Sequence, residues 1–222
     1  MCGRYTQTVS LEKVIERFHV DDAPMQVPPR YNVAPGQQAP VIIYKQSRRI
    51  ELMRWGLVPA WAKDPRIGNR MINARAESLT EKPSFRRPFS RSRCLIAADG
   101  FYEWRRSGPQ GRKVPMWIGL KSREPFAFAG LWDRWQTATG GVLESFTIIT
   151  TLPNELMKPI HHRMPLILRQ HHETEWLDPD LSNPGDLARL LEPCPAEEMT
   201  AYEVSTLVNS PENDVLECLK PV

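Results

Sequence analysis

The chain opens Met1-Cys2-Gly3-Arg4, so loss of one methionine leaves a cysteine that carries both a free amine and a thiol. Such a residue condenses with an aldehyde: the amine forms an imine, and the thiol on the neighbouring carbon closes a five-membered thiazolidine. An α-amine titrates near pH ~8 and a cysteine thiol near ~8.5, so both have nucleophilic fractions close to neutrality. A cysteine at this position serves equally well as a small buried hydrophobe. Three further segments interrupt the apolar pattern with groups that could assist. Asn73-Ala74-Arg75-Ala76-Glu77 combines an amide, a guanidinium and a carboxylate, which is also the composition of a salt-bridged solvent-facing segment. Asp99-Gly100-Phe101-Tyr102-Glu103-Trp104 sets acids four apart beside aromatics, so Glu103 is a candidate proton carrier or a partner for a nearby arginine. Ile160-His161-His162-Arg163-Met164-Pro165 puts histidines in a loop ahead of an apolar run, where a catalytic and a merely solvated histidine look alike. Trp55-Gly56-Leu57-Val58-Pro59-Ala60-Trp61 offers aromatics on a turn for core packing or base stacking.

Composition limits what these residues can be doing. Cys2, Cys94, Cys194 and Cys218 form no CxxC pair and no short-range cysteine/histidine cluster, which argues against structural zinc and a disulfide framework and fits a reducing, cytoplasmic setting. Adjacent histidines point different ways on regular elements, so neither His161-His162 nor His171-His172 is read as a metal site. No run approaches the ~18 apolar residues of a membrane span, and the start lacks a secretory apolar region. The net charge of +3 conceals an asymmetry: Lys82 to Lys113 holds nine Lys/Arg against Asp99 and Glu103, whereas Glu173 to Glu217 holds twelve acids against Arg189. Arginine forks suit phosphate oxygens and seven tryptophans supply stacking surfaces, so nucleic-acid contact is one reading and a solvated charged surface the other.

The elements that must position these groups are short. Ser10 is placed to cap a helix whose Leu11, Val14, Ile15 and Phe18 share a face. Asp21 to Pro40 is proline-rich and expected to be irregular. Strand-like stretches follow at 40–44, 50–54, 94–97, 116–119, 126–129, 145–150 and 201–207, with Thr139-Gly140-Gly141 as a turn. Helical segments are expected within 155–157, 171–177 and 184–191, the last opened by Pro184 after Ser182-Asn183. At 222 residues, without repeats or a long linker, the chain reads as one domain spanning 1–222. Many short strands and few helices predict an α+β fold with a mainly antiparallel, barrel-like β core and peripheral helices, rather than a doubly wound sheet.

Taken in order, these blocks resemble the SRAP family, whose members form covalent crosslinks with abasic sites in single-stranded DNA. The resemblance runs through Cys2-Gly3-Arg4, Tyr31-Asn32-Val33-Ala34-Pro35-Gly36, Trp55-Gly56 with Pro59-Ala60-Trp61, Asn73 to Glu77, Ala98 to Trp104, His161 to Pro165, and Val204-Ser205 with Val208-Asn209. It implies Cys2 as the crosslinking residue, Asn73 as an active-site amide, Glu103 as acid/base and His161 as the histidine of the site. It also implies Arg4, Arg75 and Arg86 as DNA-contacting basic residues and Trp61 as a wedge near the lesion; Arg163 is expected to join the arginines against phosphates. The family's Asp after that histidine is replaced here by His162. The partner implied is single-stranded DNA with abasic sites, including single-strand/double-strand junctions, with no metal, nucleotide or redox cofactor and, in a bacterium, a nucleoid-associated location. A thiol autopeptidase acting on its own N terminus or on other proteins, a minor abasic-site lyase activity, and a non-catalytic single-stranded DNA-binding module are the competing expectations.

Overall fold

Ser10 accepts a hydrogen bond from the Lys13 backbone N–H and starts helix α1, Leu11–Phe18, which buries Val14 and Phe18 and ends at left-handed His19. The computed structural model describes residues 2–23, 26–108, 111–137 and 139–222. Met1, whose removal the expected chemistry would require, and Pro24-Met25 of the proline-rich stretch lie outside the described residues.

Two sheets make the β core. One is an antiparallel sheet of five strands in the order Met199–Glu203 (β12), Arg112–Leu120 (β8), Gly100–Ser107 (β7), Tyr5–Gln7 (β1) and Arg30–Val33 (β2). The other contains Gln38–Lys45 (β3), Ser47–Trp55 (β4), Asn73–Arg75 (β5), Arg93–Ala98 (β6), Phe126–Gln136 (β9), Val142–Thr151 (β10) and Met164–Pro165 (β11). Here β10 pairs with β4, β4 with β3, β3 with β6, β6 with β9, and β9 with β10 again, so the hydrogen-bonded ring closes. The fold is thus α+β with a closed β-barrel core and peripheral helices. Closure removes the free edges that an open sheet would present. Its pairings are antiparallel except at β10, which runs parallel to both β4 and β5.

Strand alternation divides the interior. Val41 and Ile43, Cys94 and Ile96, and Phe126 and Phe128 enter one core with Cys2 and with Tyr5 and Phe101 of the five-stranded sheet. Tyr5 stands edge-on to Trp55 and Phe128, with ring centroids 5.3 and 5.9 Å apart. The intervening residues Ile42, Leu95, Ala97, Ala127 and Ala129 face a second core under α1, α2 (Pro83–Arg91), α3 (Glu173–Leu177) and α4 (Pro184–Ala188). A third cluster joins Tyr102 and Trp117 to Val204, Val208 and Cys218, seating the C-terminal segment on β7 and β8.

Four local expectations change. The stretch from Asp21 to Pro40 is not irregular throughout, because Arg30–Val33 pairs with β1 as β2 and Gln38 opens β3. Residues 155–157 form turns organised by Asn154, not a helix: Asn154 Oδ1 accepts from Met157 N–H at 3.0 Å and its carbonyl from Lys158 N–H at 3.0 Å. The strand expected over 201–207 stops at Glu203, and Thr206–Asn209 is a 3-10 turn with Ser205 Oγ accepting from Leu207 N–H. The His161 and His162 rings stack at 4.3 Å, because they sit in a loop where the alternation of regular elements does not apply.

Candidate active site

Antiparallel pairing of β1 with β7 brings the N terminus to the acid. Tyr5 lies opposite Phe101, and Tyr102 N–H donates to the Arg4 carbonyl at 3.0 Å, so two residues further along the register Gly3 runs beside Glu103. Alternation along β7 turns Phe101 and Glu103 toward the core that contains Cys2, while Tyr102 faces the C-terminal cluster. Asp99, just ahead of β7, fixes the other end of β1: its carboxylate accepts from the hydroxyls of Thr6 and Thr8 and from the backbone N–H groups of Thr8 and Val9.

Asn73 reaches the same point from β5. Parallel pairing places it opposite Ile148 of β10, and its Nδ2 donates to the Cys2 carbonyl at 2.8 Å. Such a bond contributes about 1 kcal/mol net and fixes the rotation of the residue that carries the thiol. Asn73 Oδ1 is buried and accepts no hydrogen bond among the described residues, which leaves one acceptor inside the site.

His161 arrives on the Asn154 loop, its backbone N–H bonded to the Met157 carbonyl at 2.8 Å; Asn154 Nδ2 donates to the Cys194 carbonyl and anchors that loop. The His161 Nδ1 lies 3.9 Å from Glu103 Oε1 and 3.1 Å from both the backbone N and the carbonyl of Arg163. Burial holds the imidazole below the usual histidine range, with the Glu103 charge opposing that shift. Nδ1 meets both an N–H it can accept from and a carbonyl it can donate to, and the ring tautomer decides which bond forms. Cys2 itself is fully buried, its Sγ contacting the Arg4 carbonyl at 3.7 Å. Burial, then the charge of Glu103, pushes its thiol well above the usual cysteine range. A cleft of about 670 Å³ opens over Glu103 and His161, lined also by Trp104, Arg106, Lys113 and Asn209.

The remaining residues singled out from sequence divide by accessibility. Arg75 and Arg86 are exposed, on β5 and on the outer face of α2, and Trp61 is 58% exposed on the loop after β4. Arg163 is buried. Its guanidinium makes two bonds to Glu77, at 2.8 and 2.9 Å, and one to the Thr150 carbonyl at 2.6 Å, which is how a buried guanidinium keeps its charge. Arg4 is half-buried and donates to the Val208 carbonyl at 2.7 Å, to the Asn209 carbonyl at 3.3 Å and to Asn32 Oδ1 at 3.2 Å. Arg93, inside the basic stretch, donates to five backbone carbonyls around α2 and α3, and burial lowers it to about 10. Sequence reasoning passed over Arg106, Lys113, Trp104 and Asn209 as individual cleft residues. The β7–β8 register, which sets Arg106 opposite Lys113, is the signal that gathers the two bases.

The chain is similar to known proteins over nearly its whole length. The chain is 51% identical over 223 residues to Abasic site processing protein YoqW of Bacillus subtilis (strain 168), covering 99% of each chain. It is 36% identical over 225 residues to Abasic site processing protein HMCES of Gallus gallus, covering 87% of this chain and 66% of that one. A crystal structure of a Bacteroides thetaiotaomicron protein superimposes over the whole of both chains with a TM-score of 0.90 and 33% identity. Residues 1–211 match the model of the SOS response associated peptidase (SRAP) family, and the chain belongs to that family.

Proposed function

We propose that this protein processes abasic sites by forming a covalent thiazolidine between Cys2, freed of Met1, and the ring-opened aldehyde of an abasic deoxyribose in single-stranded DNA. The observation that carries this reading is that Asn73 donates to the carbonyl of the buried Cys2 and Glu103 neighbours its thiol, while Glu103 and His161, 3.9 Å apart, line a cleft with Arg106 and Lys113. Curated relatives covering nearly the whole chain bear abasic-site processing in their names.

In this mechanism the Glu103 carboxylate takes a proton from the Cys2 ammonium, and the neutral amine attacks C1′ and forms a carbinolamine. Glu103 gives that proton to the departing hydroxyl, water leaves, and an iminium remains. The Cys2 thiol then attacks the iminium carbon and its proton passes through the Glu103 carboxylate to solvent, so Glu103 ends as the carboxylate it began as, with one water and one proton released. His161, neutral with a proton on Nε2, hydrogen-bonds the sugar oxygen as the ring opens. Tethering of the sulfur beside the iminium carbon favours closure over attack by water. An uncaptured iminium acidifies the sugar's 2′ protons, so a minor strand-cleaving elimination competes when closure is slow. Arg75, Arg86, Arg106 and Lys113 hold phosphates, and Trp61 stacks against a base.

The test is intact-mass and denaturing-gel analysis of the protein mixed with matched single strands, one with an abasic site and one intact. The mass of the free protein reports whether Met1 has been removed. The expected result is a one-to-one adduct with the abasic strand that Cys2→Ala abolishes. No adduct from protein proven to start at Cys2 sinks the proposal.

A further inference from the structure

We infer that Arg4 is a positioning residue: it locks the strand that carries Cys2 onto the Thr206–Asn209 turn, and through that lock sets the place of the Cys2 thiol. This rests on the reading of Cys2 as the nucleophile. Three acceptors surround the guanidinium, and none is a carboxylate: the carbonyls of Val208 and Asn209 and the amide oxygen of Asn32. Neutral carbonyls arranged around a guanidinium fix its direction from several sides, and burial lowers the pKa of Arg4 against the small opposing effect of Cys218.

The acceptors are themselves held. Asn32 is fully buried, and its Nδ2 donates to the carbonyls of Val208, Ser210 and Asn213 at 3.2, 2.9 and 2.9 Å. Asp214 accepts from the backbone N–H groups of Tyr31 and Asn32 and pairs with Arg30. Asn209 lines the cleft, and its Oδ1 accepts from Trp104 Nε1 at 2.8 Å, with the Arg4 guanidinium 6.0 Å above the Trp104 ring. The Arg4 backbone is equally committed, its carbonyl receiving Tyr102 N–H and the Cys2 thiol. Arg4 therefore joins segments about two hundred residues apart in sequence, two residues from the nucleophile, and its side chain points into protein.

A phosphate contact and a positioning role separate in measurement. Arg4→Gln is compared with wild type for the first-order rate of adduct formation at saturating abasic strand, and for the salt dependence of binding to a tetrahydrofuran-containing strand that has no aldehyde. Peptide-level alkylation of Cys2 by iodoacetamide is read in parallel. The expected result is adduct formation slowed ~10-fold or more, since small displacements of a reacting group carry penalties of that order. Cys2 alkylation becomes faster as the strand loosens, and the salt slope is unchanged. A slope reduced by ~0.7, the share of one single-strand phosphate, with wild-type adduct and alkylation rates, overturns the inference. Should Arg4→Gln fail to fold, Arg4→Lys decides. Its ammonium keeps the charge but cannot span the three acceptors, so slowed adduct formation supports positioning and a wild-type rate overturns it. If wild-type protein starting at Cys2 forms no adduct, the nucleophile reading fails on its own, and the alkylation comparison still judges Arg4.

Discussion

The Cys2 environment suppresses the thiolate that the proposed capture step would use. Full burial and the neighbouring Glu103 charge both raise the thiol, so at neutral pH the sulfur keeps its proton. Sulfur attack then requires the proton to leave as the carbon–sulfur bond forms, and Glu103 is the adjacent base. This separates two reactions of the same atom. Alkylation of Cys2 by iodoacetamide, which needs preformed thiolate, should run more slowly than that of free cysteine at pH 7.5. It should also go on rising with pH beyond ~8.5, where half of an ordinary thiol is already ionised. Glu103→Gln should slow adduct formation with an abasic strand ~100-fold, because proton transfer in both dehydration and capture is lost. The same substitution removes a charge that raises the thiol, so alkylation should hold steady or quicken. Intact-mass time courses on one preparation read both rates; parallel loss of the two would mean that Glu103 only holds the fold.

Secondary-structure elements bring Glu103 and His161 to Cys2 through contacts that serve only to place them. The Arg163 backbone N–H holds His161 Nδ1, and the Arg163 side chain is held by Glu77. Arg163 is 7% exposed, so removing its partner strands a buried charge; Glu77 is 49% exposed, and water moderates the loss. Glu77→Ala should therefore destabilise by about 2 kcal/mol, lowering Tm by about 4–8 °C. The Arg163 bonds hold the Glu77 carboxyl below its usual range, so this stability is present above the ordinary carboxylate value and is lost as pH falls through the folded one. Melts at pH 7 and in acid should show the gap between wild type and variant narrowing on acidification. How much of this was legible varies with the element. Helix α1 and the strands β3, β4, β6, β8, β9 and β10 announce themselves by apolar spacing. Tyr5–Gln7 is too short to carry a period, and Gly100–Ser107 reads as polar because it faces a cleft at one end and solvent at the other. Helix α2 is masked by Pro88 inside it and by its basic outer face. Arg93 and Arg163 look like surface charge in a sequence; only folding supplies the carbonyls and the carboxylate that make them interior residues.

At the scale of the whole molecule, charge is sorted in a way that the net value of +3 does not express. Half of the twelve acids from Glu173 to Glu217 are matched with bases among the described residues: Glu173 with Arg17, Glu175 with Arg189, Glu198 with Arg169, Glu203 with Arg105, Asp214 with Arg30 and Glu217 with Lys220. Arg86, Arg106 and Lys113 form no ion pair among the described residues, and the last two open onto the Glu103–His161 cleft. Barrel closure and the long-range strand pairings create this sorting, so a linear count of arginines, which includes the internal Arg93, cannot anticipate it. The consequence is that affinity for single strands should follow local unpaired charge rather than total charge. Binding of a tetrahydrofuran-containing strand should weaken with salt, and Arg86→Gln, Arg106→Gln and Lys113→Gln should each reduce the slope of log K against log salt by ~0.7. Arg169→Gln removes the same unit of charge from a residue already paired with Glu198, away from the cleft, and should leave the slope unchanged. Fluorescence anisotropy across ~50–300 mM salt distinguishes the cases. An equal loss of slope in Arg169→Gln would show that the strand senses net charge alone, and the sorted surface would then have no part in binding.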